Sequence, residues 1–341
     1  MSAQEESAAP VAVIGAGSWG TALAQLLATK GHVVTLWVRT PQLAEHITRT
    51  RENTPYLPNV LLHPRVLPTA EVAEIASVAQ TCLSAVPSHA MRSVWGVLGP
   101  LLPPGARIIS ATKGIEPGTL YTMSQVLHTV LAPRRDIDLA VLSGPTFARE
   151  LSQGTPTAAV VAAASSAVAE SVQQLLSTSI FRVYTNADML GVEIGGALKN
   201  VMALAAGVCD GLHLGYNTRA ALITRGLAEM TSLGSAMGAS PQTCVVFSGM
   251  GDLVLTCTGY FSRYYVVGVQ LGQGKKLSDI LAQMRMVAEG VTTAQAAVAL
   301  GERYAVEMPI AEQVHAVLQG HVTPHAAVTA LMQRTLKHEG S

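Results

Sequence analysis

The chain has few charged residues and no excess of either sign. Asp, Glu, Lys and Arg make up 13% of its 341 residues, against 49% for hydrophobic residues. This balance excludes a disordered chain and indicates extensive burial. Basic and acidic residues number 22 each, so the formal net charge is zero. A neutral chain has neither the electrostatic footprint of a nucleic-acid binder nor a basic face for an anionic membrane.

Targeting and membrane signals are also missing. The first nine residues, MSAQEESAA, contain two glutamates and no basic residue, so the sequence predicts no secretory signal. A spanning helix needs roughly 18 uninterrupted apolar residues. The best candidates are broken by Ser165, Ser166, Glu193 and Lys199. We therefore expect a cytoplasmic protein without membrane insertion.

Cysteine is scarce, and its placement argues against a metal site. The four cysteines form no CxxC pair and have no histidine spacing that suits zinc. We expect buried reduced thiols, the usual state of free cysteine, and no bound metal. These residues are Cys82, Cys209, Cys244 and Cys257.

The chain changes character near residue 186. Before it, β-rich runs alternate with helical segments, which predicts a Rossmann-type α/β domain with a doubly wound, mostly parallel sheet over residues 10–187. From Asp188 onward, Ala, Leu and Met recur at helical spacing, which predicts an all-α domain over 188–336. The predicted strand runs are VAVIGAG, VVTLWV, TCLSAVPS, RIISATKG, DLAVLSGP, TAAVVAA and FRVYT.

The first strand run leads into GAGSWGTALAQLLATKGH, in which Gly15, Gly17 and Gly20 have GxGxxG spacing. Gly15 suits a tight turn, Gly17 lets the backbone approach a pyrophosphate, and Gly20 lets helix and strand pack closely. The helix N-terminus offers unpaired N–H groups and partial positive charge to phosphates. Because the motif lies between a strand and a helix that leads to a second strand, it predicts a dinucleotide site.

Arg39 follows the second predicted strand, where an NAD-preferring site usually carries Asp or Glu. A guanidinium can pair with a 2′-phosphate and stack on adenine. The sequence therefore favours NADPH over NAD(H), although an exposed arginine at a helix start is the alternative interpretation.

Two lone charges stand in apolar stretches of the second half. Lys199 lies in LGVEIGGALKNVMALAA, whose other charge is Glu193, and Asp252 lies in GMGDLVLTCTG. Burial disfavours the charged form of a lysine, which suits a group that transfers protons. Buried charges rarely persist unpaired. We therefore expect Lys199 and Asp252 to meet, either as a structural ion pair or as an acid/base pair facing the nicotinamide.

The order of several longer motifs resembles bacterial NAD(P)-dependent glycerol-3-phosphate dehydrogenase. The resemblance runs from about residue 11 to about residue 320 and implies a Rossmann domain followed by an α-helical domain. It also implies NADPH-dependent reversible reduction of dihydroxyacetone phosphate to sn-glycerol 3-phosphate for phospholipid synthesis. The motifs are GAGSWGTALA, AVPSH, ATKG, LSGPTFARE, GGALKN, TRAALITRGLAEM, GMGDLVLTCTG, VAEG and MPI.

The resemblance also implies roles for individual residues. Lys199 would donate the proton to the forming alkoxide, and Asp252 would orient it and touch the substrate. The other implied substrate contacts are Lys113, Gly144, Thr146, Ser262, Arg263 and Tyr264. The implied cofactor contacts are Gly15, Gly17, Ser18, Trp19, Gly20, Arg39, Lys113, Ala148, Arg263, Val287 and Glu289.

One segment departs from the family pattern. Where the family reads close to SRNR, this chain has Ser262, Arg263, Tyr264 and Tyr265. The segment normally grips the substrate phosphate, a task suited to arginine with flanking donors. Tyrosine adds bulk and no charge, so we expect a weakened or reshaped phosphate pocket. Tyr260, Tyr264 and Tyr265 form either a packing patch or a remodelled pocket.

Three hypotheses about function remain at this stage. The first is the dehydrogenase of the resemblance. The second keeps the fold and the Lys199 chemistry but acts on a different, unphosphorylated hydroxy-ketone. The third is a dinucleotide-binding module without turnover, which the retention of Lys199 and Asp252 argues against. The expected partner is a small molecule, and an extensively apolar helical domain is compatible with a homodimer.

Overall fold

The structure is a computed structural model that describes residues 9–78, 80–282, 289–336 and 338. It divides into two compact units. The first contains the described residues up to Glu116 and from Tyr121 to Glu193, and the second contains Pro117–Leu120 and the described residues from Ile194 onward. The division falls within the helix Met189–Gly211, a few residues beyond the predicted boundary at 187/188.

The first unit is built on one sheet of eight strands in the order β3-β2-β1-β4-β5-β6-β7-β8. All neighbouring strands are parallel except β6 and β7. This topology confirms the predicted Rossmann-type sheet. The strands are β1 (Val11–Ile14), β2 (Val34–Trp37), β3 (Val66–Thr69), β4 (Thr81–Ser84), β5 (Arg107–Ser110), β6 (Asp138–Ser143), β7 (Thr157–Ala163) and β8 (Phe181–Asn186).

Both faces of this sheet are buried. Val11 and Val13 of β1 belong to one hydrophobic cluster, whereas Ala12 and Ile14 belong to another. Since successive residues of a strand point to opposite faces, the two clusters lie on opposite sides of the sheet. Burial on both sides explains why β1 is a continuous apolar run rather than an alternating one.

The helices of the first unit begin where the sequence supplies start signals. Thr122 and Gln125 form a capping box at the start of α5, and the Ser165 hydroxyl accepts a hydrogen bond from the Val168 backbone N–H at the start of α7. The helices are α1 (Ser18–Thr29), α2 (Pro41–Thr50), α3 (Val72–Val78), α4 (Met91–Leu98), α5 (Met123–Val130), α6 (Ala148–Ser152) and α7 (Ser166–Leu176), with 3₁₀ turns at Ser88–Ala90 and Gly99–Leu101.

One strand, β3, was not among the predicted runs. It has only four residues, VLPT, and contains Pro68. Proline cannot donate a ladder hydrogen bond, so it is tolerated at the edge of a sheet but argues against a central strand. β3 pairs with β2 alone and forms the edge of the sheet. The strand exists because its neighbour supplies the pairing, which local sequence does not reveal.

The second unit is helical, and no strand follows Asn186 in the described part of the chain. Its helices confirm the all-α prediction. They are α8 (Met189–Gly211, which begins in the first unit), α9 (Gly215–Ala236), α10 (Pro241–Cys244), α11 (Asp252–Thr258), α12 (Arg263–Gly272), α13 (Leu277–Ala282), α14 (Glu289–Tyr304), α15 (Pro309–Leu318) and α16 (Pro324–Met332), with a π-helix at Phe247–Gly251.

By length and composition, α8 is apolar enough to cross a membrane, but its apolar window is completely buried inside the protein. Glu193 and Lys199 interrupt the run, which is why a criterion of uninterrupted apolar residues does not select it. The four cysteines are also buried.

Candidate active site

The loop between β1 and α1 has the geometry that its glycines predict. Gly15 has a φ of +108°, and a Cβ there would lie 2.8 Å from the Ala85 carbonyl oxygen. A Cβ on Gly20 would overlap the Gly15 carbonyl oxygen, whereas a Cβ on Gly17 would meet no atom within 4 Å. Gly15 and Gly20 thus permit close packing. Gly17 leaves open space at the N-terminus of α1.

Two residues that sequence reasoning missed hold this loop, Asn53 through its side chain and Tyr56 through its backbone carbonyl. The fully buried Asn53 amide donates hydrogen bonds to the Ala16 carbonyl at 2.9 Å and to the Thr21 hydroxyl at 2.8 Å. The Ser18 hydroxyl donates to the Tyr56 carbonyl at 2.6 Å. Asn53 and Tyr56 lie more than 30 residues beyond the glycines, in a segment without a recognisable motif, so only the fold joins them to the loop.

The surroundings of this loop fit a dinucleotide. Gly17 is the N-cap of α1 and provides no side-chain cap, so the first N–H groups of the helix are available to phosphate oxygens. The buried indole N–H of Trp19 has no hydrogen-bond partner within the described residues. Arg39 is exposed two residues after β2. Ala148 begins α6.

Two predicted cofactor contacts cannot be placed. Val287 lies outside the described residues. Glu289 is the first residue of α14, but its side chain also lies outside the part of the chain that the structure describes.

The loops that follow β5 and β6 bring three predicted substrate residues together. The Lys113 ammonium donates a hydrogen bond to the Gly144 carbonyl at 3.2 Å, and the Thr146 hydroxyl donates to the same oxygen at 3.1 Å. Lys113 is only half-buried. In an open α/β sheet, ligands bind at the carboxyl ends of the strands, which is where these three residues lie.

Lys199 and Asp252 meet in the helical unit. The Lys199 ammonium forms an ion pair and hydrogen bond with Asp252 Oδ1, and Asp252 has no solvent exposure. Lys199 also donates to the Thr256 hydroxyl at 2.9 Å, and that hydroxyl donates to the Asp252 carbonyl at 2.6 Å. Thr256 was not predicted, although its place four residues after Asp252 puts both on one helix face.

A close backbone contact one turn away sets the position of this pair. A Cβ on Gly195 would lie 2.6 Å from the Ser248 carbonyl oxygen, so only glycine lets α8 approach the π-helix this closely. Lys199 follows Gly195 by four residues, and Asp252 follows Ser248 by four. Residues four positions apart share a helix face, so the faces that touch at Gly195 and Ser248 also bring Lys199 and Asp252 into contact.

The other charge of the α8 sequence has a separate role. The Glu193 carboxylate accepts hydrogen bonds from the Ser124 backbone N–H at 2.7 Å and from the Ser124 hydroxyl at 2.5 Å. Ser124 lies in the first turn of α5, where a carboxylate is favoured by the helix dipole. Burial nevertheless raises the pKa of Glu193, against the opposing effect of these hydrogen bonds.

The segment that departs from the family pattern begins α12. Ser262 is the N-cap, and its hydroxyl accepts a hydrogen bond from the Tyr265 N–H at 3.3 Å. The Arg263 guanidinium lies 5.9 Å from the Tyr264 ring centroid. Tyr265 is buried, its hydroxyl donates to Asp210, and its ring meets Tyr260 edge-on with centroids 5.7 Å apart. Tyr260 and Tyr265 therefore form a packing contact.

Family models match almost the whole chain. Residues 10–169 match the N-terminal model of NAD-dependent glycerol-3-phosphate dehydrogenase, and residues 188–329 match its C-terminal model. The chain belongs to the NAD-dependent glycerol-3-phosphate dehydrogenase family. This finding confirms the resemblance that the motifs indicated.

Individual relatives cover the chain almost completely. A glycerol-3-phosphate dehydrogenase [NAD(P)+] of Geobacter sulfurreducens is 55% identical over 96% of this chain and 98% of its own length. The enzyme of the same name from Citrifermentans bemidjiense is 53% identical over 97% and 98%. A crystal structure of glycerol-3-phosphate dehydrogenase from Coxiella burnetii has a TM-score of 0.91 at 38% identity, covering 96% of this chain and 99% of that one.

This glycerol-3-phosphate dehydrogenase family member is accordingly an NAD(P)-dependent oxidoreductase with a small-molecule substrate. The fold and cofactor class agree with the geometry of the glycine loop. The roles of the individual side chains remain predictions.

Proposed function

We propose that the protein reduces dihydroxyacetone phosphate reversibly to sn-glycerol 3-phosphate with NADPH, and that Lys199 is its general acid and base. The reaction is that of the family to which the chain belongs. The observation that carries the role of Lys199 is its buried pairing with Asp252 and Thr256. The cofactor supplies the hydride that reaches C2 of the ketone.

In this proposal the protein's own groups bind the substrate and move the proton. Lys199 donates a proton to the alkoxide that forms at C2, and accepts it in the reverse direction. Asp252 and Thr256 hold the ammonium in one orientation, which proton transfer requires. Lys113, Gly144 and Thr146 line the substrate site.

In this proposal the substrate phosphate binds at the N-terminus of α12. Ser262 and Arg263 supply a hydroxyl, a guanidinium and the first N–H groups of a ten-residue helix, a combination that suits a dianion. Tyr264 is assigned to the same site, because it carries the Arg263 guanidinium over its ring.

We assign the cofactor preference to Arg39, which follows β2 and is exposed. An NAD-preferring site usually carries an acidic residue at this position. We infer that NADPH is preferred and that NAD(H) is the weaker cofactor. Comparing kcat/KM for the two cofactors tests this, and Arg39→Ala should reduce the preference. Near-equal values for the unchanged protein would contradict it.

The reaction itself is tested by following NADPH oxidation with dihydroxyacetone phosphate and, separately, with dihydroxyacetone. We expect a strong preference for the phosphorylated ketone. Equal or better use of dihydroxyacetone would mean that the Ser262–Tyr265 segment no longer binds phosphate, and would favour the unphosphorylated hydroxy-ketone of the second hypothesis.

The cellular setting follows from the same proposal. We infer that the enzyme draws on the cytoplasmic cofactor pool and supplies glycerophospholipid synthesis. A homodimer, without nucleic-acid or membrane partners, remains part of the proposal, and sedimentation of the full chain tests the oligomeric state.

A further inference from the structure

The helix that presents Arg263 is attached to the helix that carries Lys199 through glycines. A Cβ on Gly207 of α8 would overlap the Tyr265 carbonyl oxygen, and a Cβ on Gly268 of α12 would overlap the Leu204 carbonyl oxygen. One turn further on, Gly211 and Gly272 repeat the arrangement. The two backbones therefore touch along two successive turns. Such a contact fixes their separation but offers few side-chain ridges to fix the rotation of α12.

A polar link supplies what the glycine contact lacks. Asp210 on α8 accepts a hydrogen bond from the Tyr265 hydroxyl on α12 and another at 2.5 Å from Arg219 on α9, both at Oδ2. One carboxylate thus connects three helices. Burial and the neighbouring Asp210 raise the pKa of Tyr265, so its hydroxyl stays protonated and remains the donor.

Tyr265 is also joined to the start of α12. Its backbone N–H donates to the Ser262 hydroxyl, and Arg263 lies between the two residues. Tyr265 is thus bonded through its backbone to the N-cap and through its hydroxyl to α8. These two bonds set the direction in which the first turn of α12 points. Tyr265 is buried, and its ring also contacts Tyr260. A rotation of this ring would therefore break the contact with Tyr260.

We propose that Tyr265 is a positioning residue for substrate phosphate, which acts by locking the rotation of α12 on α8 through Asp210 so that Ser262 and Arg263 face the phosphate. The proposal rests on the proposed function. It gives Tyr265 a role that does not involve touching the substrate, since its hydroxyl is committed to Asp210.

The test is Tyr265→Phe in the full chain, which removes the hydroxyl and keeps the ring. We expect KM for dihydroxyacetone phosphate to rise about 10-fold, the effect of one lost hydrogen bond, with kcat changed much less. The kcat/KM ratio between dihydroxyacetone phosphate and dihydroxyacetone should fall by a similar factor. A merely structural defect would lower activity on both ketones alike and leave this ratio unchanged.

Tyr260→Phe is the matched control, because Tyr260 is 79% exposed and keeps its ring contact in the variant. The ratio of kcat/KM between dihydroxyacetone phosphate and dihydroxyacetone should be the same in Tyr260→Phe as in the unchanged protein. Asp210→Ala removes the acceptor of the same hydrogen bond and should shift the ratio in the same direction, so it provides the test if Tyr265→Phe does not fold.

The outcomes separate this proposal from the proposed function. If the unchanged protein reduces dihydroxyacetone phosphate and neither Tyr265→Phe nor Asp210→Ala alters the ratio, the positioning role is wrong and the function stands. If the unchanged protein does not reduce dihydroxyacetone phosphate, the proposed function is wrong and the positioning role falls with it.

Discussion

The Lys199 ammonium and the Asp252 carboxylate form an ion pair in which the carboxylate has no contact with solvent. Removing one partner of a buried pair leaves an uncompensated charge and typically costs about 3–5 kcal/mol of stability. Each variant of this pair must therefore be examined for folding as well as for turnover.

Lys199→Ala should lower kcat by about 10²–10⁴-fold, the usual contribution of a positioned acid or base, and leave NADPH affinity unchanged. Rates and the NADPH dissociation constant give the two quantities. The double variant Lys199→Met with Asp252→Asn removes both charges, so it should recover thermal stability without recovering turnover. Near-normal turnover in either variant would remove Lys199 from the mechanism.

Thr256 offers a finer test of how Lys199 is held. Thr256→Val removes the acceptor at 2.9 Å from the ammonium, and we expect kcat to fall about 10-fold, as for one lost hydrogen bond. Thr256→Ser keeps the hydroxyl and is the matched control, with kcat within about 3-fold of the unchanged protein. Equal loss in both variants would point to packing of the methyl group instead.

Asn53 should matter for cofactor affinity, because its amide holds the Ala16 carbonyl in the glycine loop. We expect Asn53→Ala to raise the NADPH dissociation constant about 10-fold, with a smaller effect on kcat, since the loop loses a buried hydrogen bond. Fluorescence titration measures the affinity. Asn217→Ala, at an exposed position of α9, should leave it unchanged, and equal affinity in both variants would contradict the role of Asn53.

Gly207 and Gly96 should respond oppositely to alanine. Gly207→Ala places a methyl group onto the Tyr265 carbonyl oxygen, whereas Gly96→Ala on α4 meets no atom within 4 Å. The first should cost several kcal/mol, at the upper end of overpacking effects of about 1–3 kcal/mol, and lower Tm sharply or prevent folding. The second should be neutral or stabilising by up to about 1 kcal/mol. An unchanged Tm for Gly207→Ala would mean that α8 and α12 pack less closely.

Glu229 should make stability fall as the pH rises through neutrality. Burial raises the pKa of Glu229 to about 7, although the Ile310 and Ala311 N–H groups oppose this by favouring the carboxylate. Its ordinary pKa is about 4.3, so between these values the folded protein binds more protons than the unfolded chain. The stability that the neutral carboxyl contributes is present below about pH 4.3 and is lost as the pH rises through about 7, a change of about 4 kcal/mol.

Thermal melts from pH 5 to pH 8 test this sign. The Tm of Glu229→Gln relative to the unchanged protein should improve as the pH rises, because glutamine does not ionise. Glu302→Gln, at an exposed position of α14, should show no such trend. A Tm difference that is constant across this range would contradict the raised pKa.

Local sequence determined a large part of the fold. The apolar runs VAVI, TCLS and RIIS predicted strands of a mostly parallel sheet, whose faces are both buried, and these runs became β1, β4 and β5. The glycines between β1 and α1 predicted their own geometry, since a tight turn and a close approach are properties of a few adjacent residues. The sequence did not predict β3, because this strand is stabilised by its pairing with β2 in spite of the proline within it.

For the candidate site, the sequence by itself determined which residues are chemically out of place: a lysine and a carboxylate in apolar stretches, and an arginine after β2. The cost of unpaired buried charges led us to expect that Lys199 and Asp252 meet, but only the tertiary structure decided how they meet and which other residues join them. Lys199 and Asp252 are 53 residues apart in the chain, Thr256 joins them without any motif, and Tyr265 donates its hydroxyl to Asp210, which lies 55 residues earlier in the chain. Such contacts depend on how helices pack, and packing is governed by the fit of whole faces rather than by the residues beside each position.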